Sequence, residues 1–276
     1  DCKSYESVEE MLADPEIDAV SVCVANHVHA EITIAALKAG KHVLCEKPMA
    51  TKLKDCQMMV DTAEQMSKKL MIGQNQRFAK AHAEAKKLIE RGDIGSVLTF
   101  KTTFGHGGPE TWGIDGAKNT WFFDKSRSVM GAMADLGVHK TDLIQFLLDS
   151  RVIETTAHIT TLDKKDAQGN LIGVDDNAIC IYKMENGVVG TMTASWTYYG
   201  EEDNSTILYG TEGIMKIYDE YVIRLMEAYL TGKLDDAGRK GLEAWCGACE
   251  ENRKFFERVC REDRIAREGP LYAEGD

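Results

Sequence analysis

Two short stretches hold residue types that could move a proton. In KHVLCEKPMA (Lys41–Ala50) an apolar run ends in a carboxylate, an ammonium group and a proline: Glu46, Lys47 and Pro48. Pro48 fixes its own φ and biases Lys47 away from helical geometry, so the backbone sets the direction in which the lysine leaves the chain. In MGAMADLGVHKTDLIQFLL (Met130–Leu148) Asp135, His139 and Asp142 follow at i, i+4 and i+7, which share one face of a regular α-helix. Leu136, Leu143, Ile144 and Leu147 form an apolar stripe beside them. Desolvating a carboxylate and an imidazole on such a helix is costly. A carboxylate one turn from an imidazole can orient the ring and raise its proton affinity, as a general base requires. Each stretch also has a plainer reading. E-K-P suits a charged surface turn, and the helix suits a buried histidine with satisfied partners. Asp135, His139 and Asp142 could also ligate a metal with His106, but three residues on one helix do not easily surround an ion, and no metal site is expected.

The elements around these stretches alternate. Ser7 with Glu10 reads as a capping box opening a short helix through Leu12. Asp18–Ala25 is an apolar run of β-branched and small residues, suited to a strand buried on both faces. Helix His29–Ala39 with Gly40 as its stop, strand His42–Cys45, helix Lys52–Lys68 and strand Leu70–Gly73 follow. Such units give right-handed βαβ crossovers and a parallel sheet, with ligands outside the carboxyl ends of the strands. Ala25-Asn26-His27 and Glu46-Lys47-Pro48 both stand at such ends. After helix Ala79–Arg91 the character changes: strand Val97–Phe104, a Gly-rich loop over Gly105–Gly116, Trp121-Phe122-Phe123, and a long helix over Met130–Leu148. Strands are then expected over Val152–Thr161, Asn177–Met184, Val188–Tyr198, Ser205–Tyr209 and Ile214–Tyr218, with hairpin turns at Glu185-Asn186-Gly187 and Gly210–Gly213. The fold class is therefore α/β: a partial Rossmann-type parallel sheet over residues 1–76. An α+β domain with a large, mostly antiparallel open sheet follows over 77–276.

Composition narrows the function. With 276 residues, 43% of them apolar, the chain can bury a large core. A net charge of −12 and the lack of a basic stripe argue against nucleic-acid binding. No apolar run reaches the roughly 18 residues a membrane helix needs, and no signal peptide is seen, so a soluble cytoplasmic protein is expected. The scattered Cys2, Cys23, Cys45, Cys56 and Cys180 suit reduced, buried thiols. Cys246 and Cys249 form C-x-x-C, but within LEAWCGACEENRKFFERVC, which reads as one continuous amphipathic helix and not as a redox or zinc motif.

Taken together, IDAVSVCVANHVHAEITIAALKAGKHVLCEKPMA (Ile17–Ala50), QNQRF (Gln74–Phe78) and the D-x-G-x-H-x-x-D helix (Asp135–Asp142) resemble the Gfo/Idh/MocA family of NAD(P)-dependent oxidoreductases, which includes inositol and glucose–fructose dehydrogenases. The resemblance extends from residue 1 to about residue 265. It implies a dinucleotide-binding domain, and a second domain whose open sheet forms the interface of a homodimer or homotetramer. It implies NAD or NADP as cofactor and a secondary alcohol of a sugar, polyol or related small molecule as substrate. Lys47, His139 and Asp135 match the catalytic positions: His139 would take the hydroxyl proton, Lys47 would polarise the oxygen, and Asp135 would bind substrate or orient His139. Asn26, Glu46, Lys47, Pro48 and Arg77 match positions bordering the cofactor, and Trp121, Asp135 and His139 border the substrate.

The sequence departs from that pattern in three places. No G-x-G-x-x-G turn or ribose-reading strand end is present, and the Asp18–Ala25 strand corresponds to the start of the second mononucleotide half. The expectation is a chain that begins inside a domain, stops short of the usual closing helix, and binds NAD(P) poorly by itself. Val129-Met130-Gly131 stands where relatives often carry three glycines. Two other activities fit the same framework: NAD-dependent glycoside hydrolysis, with a borrowed and returned hydride, and non-catalytic ligand sensing. Retention of Lys47, Asp135 and His139 together argues against a pure sensor.

Overall fold

Ser7 opens the first helix as expected: its Oγ accepts from the Glu10 backbone N–H at 3.1 Å. The Glu10 carboxylate accepts in return from the backbone N–H of Glu6, one residue earlier than in the usual reciprocal box. In the computed structural model, which describes residues 3–111, 120–218, 220–248 and 250–268, this helix is α1 (Val8–Ala13). It leads to β1 (Ala19–Val22), α2 (His29–Lys38), β2 (His42–Cys45), α3 (Leu53–Gln65) and β3 (Leu70–Ile72). Gly40, at φ +79°, supplies the left-handed residue that turns the chain from α2 into β2. The three strands form a parallel sheet in the order β1-β2-β3, with Val20 beside Val43 and Leu44 beside Met71.

The expected strand over Asp18–Ala25 is shorter than its apolar run, and it is not buried on both faces. Val22, Val43 and Cys45 join Ala36, Leu37 and Met59 in a core with α2 and α3. Leu44 and Met71, on the alternate side, are 40% and 49% exposed. Strand side chains alternate between faces, and among the described residues the helices cover one of them.

A 3₁₀ turn over Asn75–Phe78 leads into α4 (Lys80–Arg91), β4 (Val97–Gly105), the short α5 (Lys125–Ser128) and α6 (Val138–Leu148). Five strands follow: β5 (Val152–Thr160), β6 (Asn177–Met184), β7 (Val189–Ser195), β8 (Thr206–Gly210) and β9 (Ile214–Ile217). The second sheet has the order β5-β6-β7-β4-β8-β9. It is antiparallel except where β4 and β7 run parallel. Its inner face packs Ala178, Cys180, Tyr182, Met192, Leu208 and Phe100 against Leu136, Leu143, Ile144 and Leu147. The outer face of β5 and β6 presents Ile153, Ile159, Ile179 and Ile181, each between 45% and 57% exposed.

The helix expected over Met130–Leu148 is not regular. Met133–Gly137 is a π-helical segment, and α6 begins only at Val138. Asp175 sets this up. Its carboxylate accepts from the backbone N–H groups of Gly131 and Met133, both at 2.7 Å, and its carbonyl accepts from Ala132. A Cβ on Gly131 would lie 1.8 Å from the Asp175 carbonyl oxygen, so only glycine fits this approach. The wider π turn takes Asp135 off the line that 3.6-residue turns would give it with His139 and Asp142.

The chain divides into two compact units, Asp1–Ile217 and Tyr218–Asp276. The second contains α7 (Glu220–Leu230), α8 (Asp236–Ala248) and α9 (Glu250–Glu268), with Val222, Leu225, Met226 and Leu242 as its core. The single helix expected around C-x-x-C is two elements; Cys246 lies in α8, while Cys249 lies outside the described residues. None of the described helices is long and apolar enough to cross a membrane.

Candidate active site

The carboxyl ends of β1 and β2 are tied together by a buried histidine. His29, at the start of α2, is buried with its Nδ1 2.8 Å from the Pro48 carbonyl oxygen and its Nε2 2.9 Å from that of Val24. Asn26 is buried, and its amide donates to the Ser128 carbonyl oxygen at 3.1 Å. Glu46 accepts from the Lys47 backbone N–H at 3.2 Å, with its carboxylate against Gly73, where a Cβ would come within 3.1 Å. Lys47 is thereby directed across to the π segment. Its Nζ donates to the Asp135 carboxylate Oδ1 at 2.8 Å and to the Asp135 carbonyl oxygen at 2.9 Å. The lysine side chain is 18% exposed and the aspartate 7%.

The other carboxylate oxygen of Asp135, Oδ2, accepts from the indole Nε1 of Trp196 at 3.1 Å. Asp135 is therefore bonded to Lys47 and Trp196. The Nδ1 of His139 is buried with no hydrogen-bond partner among the described residues. Packing holds that ring: Phe104 lies 6.0 Å away, centroid to centroid, and Phe104 in turn meets His106 edge-on at 5.9 Å. Burial, then the ammonium of Lys47, push the His139 imidazole down to about 4, with Lys140 adding to the effect and Asp135 opposing it. The carboxylate does raise the proton affinity of the ring, but desolvation and the nearby cation outweigh it. The imidazole is neutral at neutral pH.

Lys140 follows directly and is fully buried. Its Nζ donates to the Asn204 carbonyl oxygen at 2.9 Å and to Thr206 Oγ1 at 3.4 Å. Burial lowers it to about 7 in spite of Asp203 and Glu202. Asp142, the third acid of the helix, is separated from this group by its own partner: Arg77 Nε donates to its Oδ2 at 2.6 Å, and Nη2 pairs with Oδ1. Asp135, His139 and Asp142 thus serve different neighbours. Among the described residues no group of three or more His, Cys, Asp or Glu is placed to hold a metal ion.

A cleft of about 210 Å³ opens at these strand ends, lined by Val24, Asn26, Glu46, Lys47, Pro48, Trp121 and Asp135 among others. Trp121 stacks on Phe122 at 4.0 Å, and Phe122 meets Trp196 edge-on at 6.3 Å. The structure brings together Asn26, Glu46, Lys47, Pro48, Trp121 and Asp135 at the cleft. Arg77 is engaged with Asp142 instead of lining it, and His139 lies beside Phe104, close enough for Lys47 to act on its charge. Sequence reasoning missed His29, Lys140, Asp175 and Trp196. Asp175 and Asp176 are adjacent acids at the mouth of an apolar strand, and Trp196 closes the β7 run; only those placements hinted at a role.

A parallel sheet of βαβ units with a charged cleft at its strand ends, faced by a helical segment of the α+β region that follows, is the arrangement of the dinucleotide-binding class of α/β folds. Residues 1–74 match the family model for oxidoreductases with an NAD-binding Rossmann fold, and residues 82–216 match that of the GFO/IDH/MocA C-terminal domain. The chain belongs to the Gfo/Idh/MocA family. It is 31% identical to the levoglucosan dehydrogenase of Pseudarthrobacter phenanthrenivorans, covering 84% of this chain and 62% of that one. With the myo-inositol 2-dehydrogenase of Thermotoga maritima the identity is 28%, over 87% of this chain and 67% of that one. A levoglucosan dehydrogenase solved in complex with NADH and levoglucosan superposes with a TM-score of 0.71 at 30% identity, over 79% of this chain and 58% of that one. The chain thus spans 62% of the length of the levoglucosan dehydrogenase it matches.

Proposed function

We propose that the protein is an NAD(P)-dependent dehydrogenase that oxidises a secondary alcohol of a sugar, polyol or related small molecule. The observation that carries this reading is the Lys47–Asp135 ion pair, held at 2.8 Å in a cleft at the strand ends with Trp121 as its wall. The cleft fits the nicotinamide end of the cofactor. Val24, Pro48 and Trp121 offer apolar surface, while Glu46 and Lys47 offer polar atoms, in a volume suited to one ring-sized group. When bound, the cofactor supplies the hydride acceptor. Lys47 would donate a hydrogen bond to the substrate oxygen, and Asp135 would keep its ammonium in place. His139, neutral, would receive the hydroxyl proton. An alcohol becomes strongly acidic as its carbon loses hydride, so a base of low proton affinity suffices. Residues 1–76 would hold the cofactor, residues 77–276 the substrate, and the apolar outer face of β5 and β6 would join copies of the chain.

The test is titration with NADH and with NADPH, followed by nicotinamide fluorescence, then a screen of sugars and polyols for net formation of reduced cofactor. Weak but saturable binding, and net reduction at high cofactor concentration, are expected of a chain without the G-x-G-x-x-G turn; net reduction also separates this activity from glycoside hydrolysis with a borrowed hydride. Lys47→Ala and His139→Ala should each lower turnover by roughly 10²- to 10⁴-fold. Wild-type turnover in both variants would remove the mechanism, and a folded chain that binds neither cofactor would remove the function.

A further inference from the structure

Trp196 follows β7 and is fully buried, with its backbone N–H donating to the Asp176 carbonyl oxygen at 2.8 Å. Its indole is packed by Phe122 at 6.3 Å and Phe123 at 6.0 Å. An indole nitrogen is a donor only, and once buried it needs an acceptor. Here that acceptor is a carboxylate oxygen already at the candidate active site. Asp135 has one oxygen on Lys47 and the other on Trp196. A carboxylate gripped at one oxygen can still turn about its last torsion, which is broad. Gripped at both, by donors that follow β2 of one sheet and β7 of the other, it presents Oδ1 to the lysine in one direction. Bonds of this kind to an ionised acceptor are stronger than neutral ones and direct geometry as well as energy. The same indole meets Phe122, on which the cleft residue Trp121 is stacked.

We propose that Trp196 is a positioning residue, whose indole N–H fixes the Asp135 carboxylate so that the Lys47 ammonium is held at the cleft. The proposal deepens the dehydrogenase reading by adding a residue outside the cleft that aims its charged pair. Its test requires no turnover. Lys47 is labelled competitively with a trace of acetic anhydride, its extent of acetylation is read by peptide mass spectrometry, and the exposed Lys38 serves as the internal reference. Asp135→Asn removes the ion pair and leaves the Asp135 carbonyl oxygen as the partner of Lys47, so the amine is held less firmly in the cleft and its labelling should speed up about tenfold. Trp196→Phe keeps an aromatic ring and removes the donor; it should speed labelling several-fold, between wild type and Asp135→Asn.

Wild-type labelling in Trp196→Phe beside fast labelling in Asp135→Asn would overturn the proposal, leaving Trp196 with packing alone. Unchanged labelling in both would overturn it as well, and would count against the Lys47–Asp135 pair and the dehydrogenase reading built on it. Should Trp196→Phe fail to fold, the indole proton of Trp196 is followed in ¹⁵N-labelled wild type and Asp135→Ala. Slow exchange with solvent that is lost in Asp135→Ala supports the proposal, and exchange that Asp135→Ala leaves unchanged refutes it.

Discussion

Replacing Lys140 with methionine should change how stability responds to pH, and by an amount the structure sets. The ammonium is fully buried, with one carbonyl and one hydroxyl as acceptors and the Phe104 ring 5.8 Å from Nζ. Its ordinary value is 10.5, and burial lowers it to about 7 in the native protein. Between those values the unfolded chain holds a proton that the native chain has released. Unfolding then takes up a proton, so native stability rises with pH through this window and is lowest below pH 7, where the buried amine is charged. Each pH unit inside the window is worth about 1.4 kcal/mol, and the whole displacement corresponds to about 5 kcal/mol. Lys140→Met is close in length and does not titrate. It removes the donor to Asn204, while Thr206 keeps its 2.7 Å bond to Thr102. Urea unfolding of both proteins at pH 7.5 and pH 9.0 isolates the effect, since the other titrating groups cancel in the difference. Wild type should gain about 2 kcal/mol relative to the variant across that interval. Parallel pH dependences would refute the reasoning and show that Lys140 carries no displaced titration.

Three further outcomes follow from the same geometry. His139 is held down to about 4 against an ordinary 6.5, so its contribution to stability is fully present above pH 6.5 and is lost as pH falls towards 4; ¹⁵N NMR of the ring should show no titration between pH 5 and 8, and a midpoint near 6.5 would contradict the burial argument. Gly131→Ala places a methyl 1.8 Å from the Asp175 carbonyl oxygen, so the start of the π segment must shift; a loss of about 1–3 kcal/mol in urea unfolding is expected, and wild-type stability would argue against the close approach. Ile181→Glu on the outer face of β6 should convert an oligomer to monomers in sedimentation velocity, and an unchanged sedimentation coefficient would count against that face as the interface.

Features that rest on neighbouring residues were legible in the chain. The strands His42–Cys45 and Asn177–Met184 could be bounded to the residue because apolar patterning and flanking turns are local signals. Glu46, Lys47 and Pro48 could be placed at a strand end for the same reason. The π segment was not legible, since it depends on Asp175 capping Gly131 and Met133 from 44 and 42 residues away. Nor was the parallel pairing of β4 with β7, whose strands are far apart in sequence.

By itself, then, the sequence determined the candidate chemistry: a lysine aimed by a proline at a parallel strand end, and a helix bearing Asp135, His139 and Asp142. Tertiary structure decided how those groups are shared. Lys47 meets Asp135 across 88 residues, Trp196 meets the same carboxylate across 61, and Arg77 takes Asp142 across 65. Helical spacing makes three acid and base groups equivalent members of one face. A π turn, a buried indole and a guanidinium make them different, because each polar group removed from water must find its own partner, and only the packed fold brings those partners within hydrogen-bond reach.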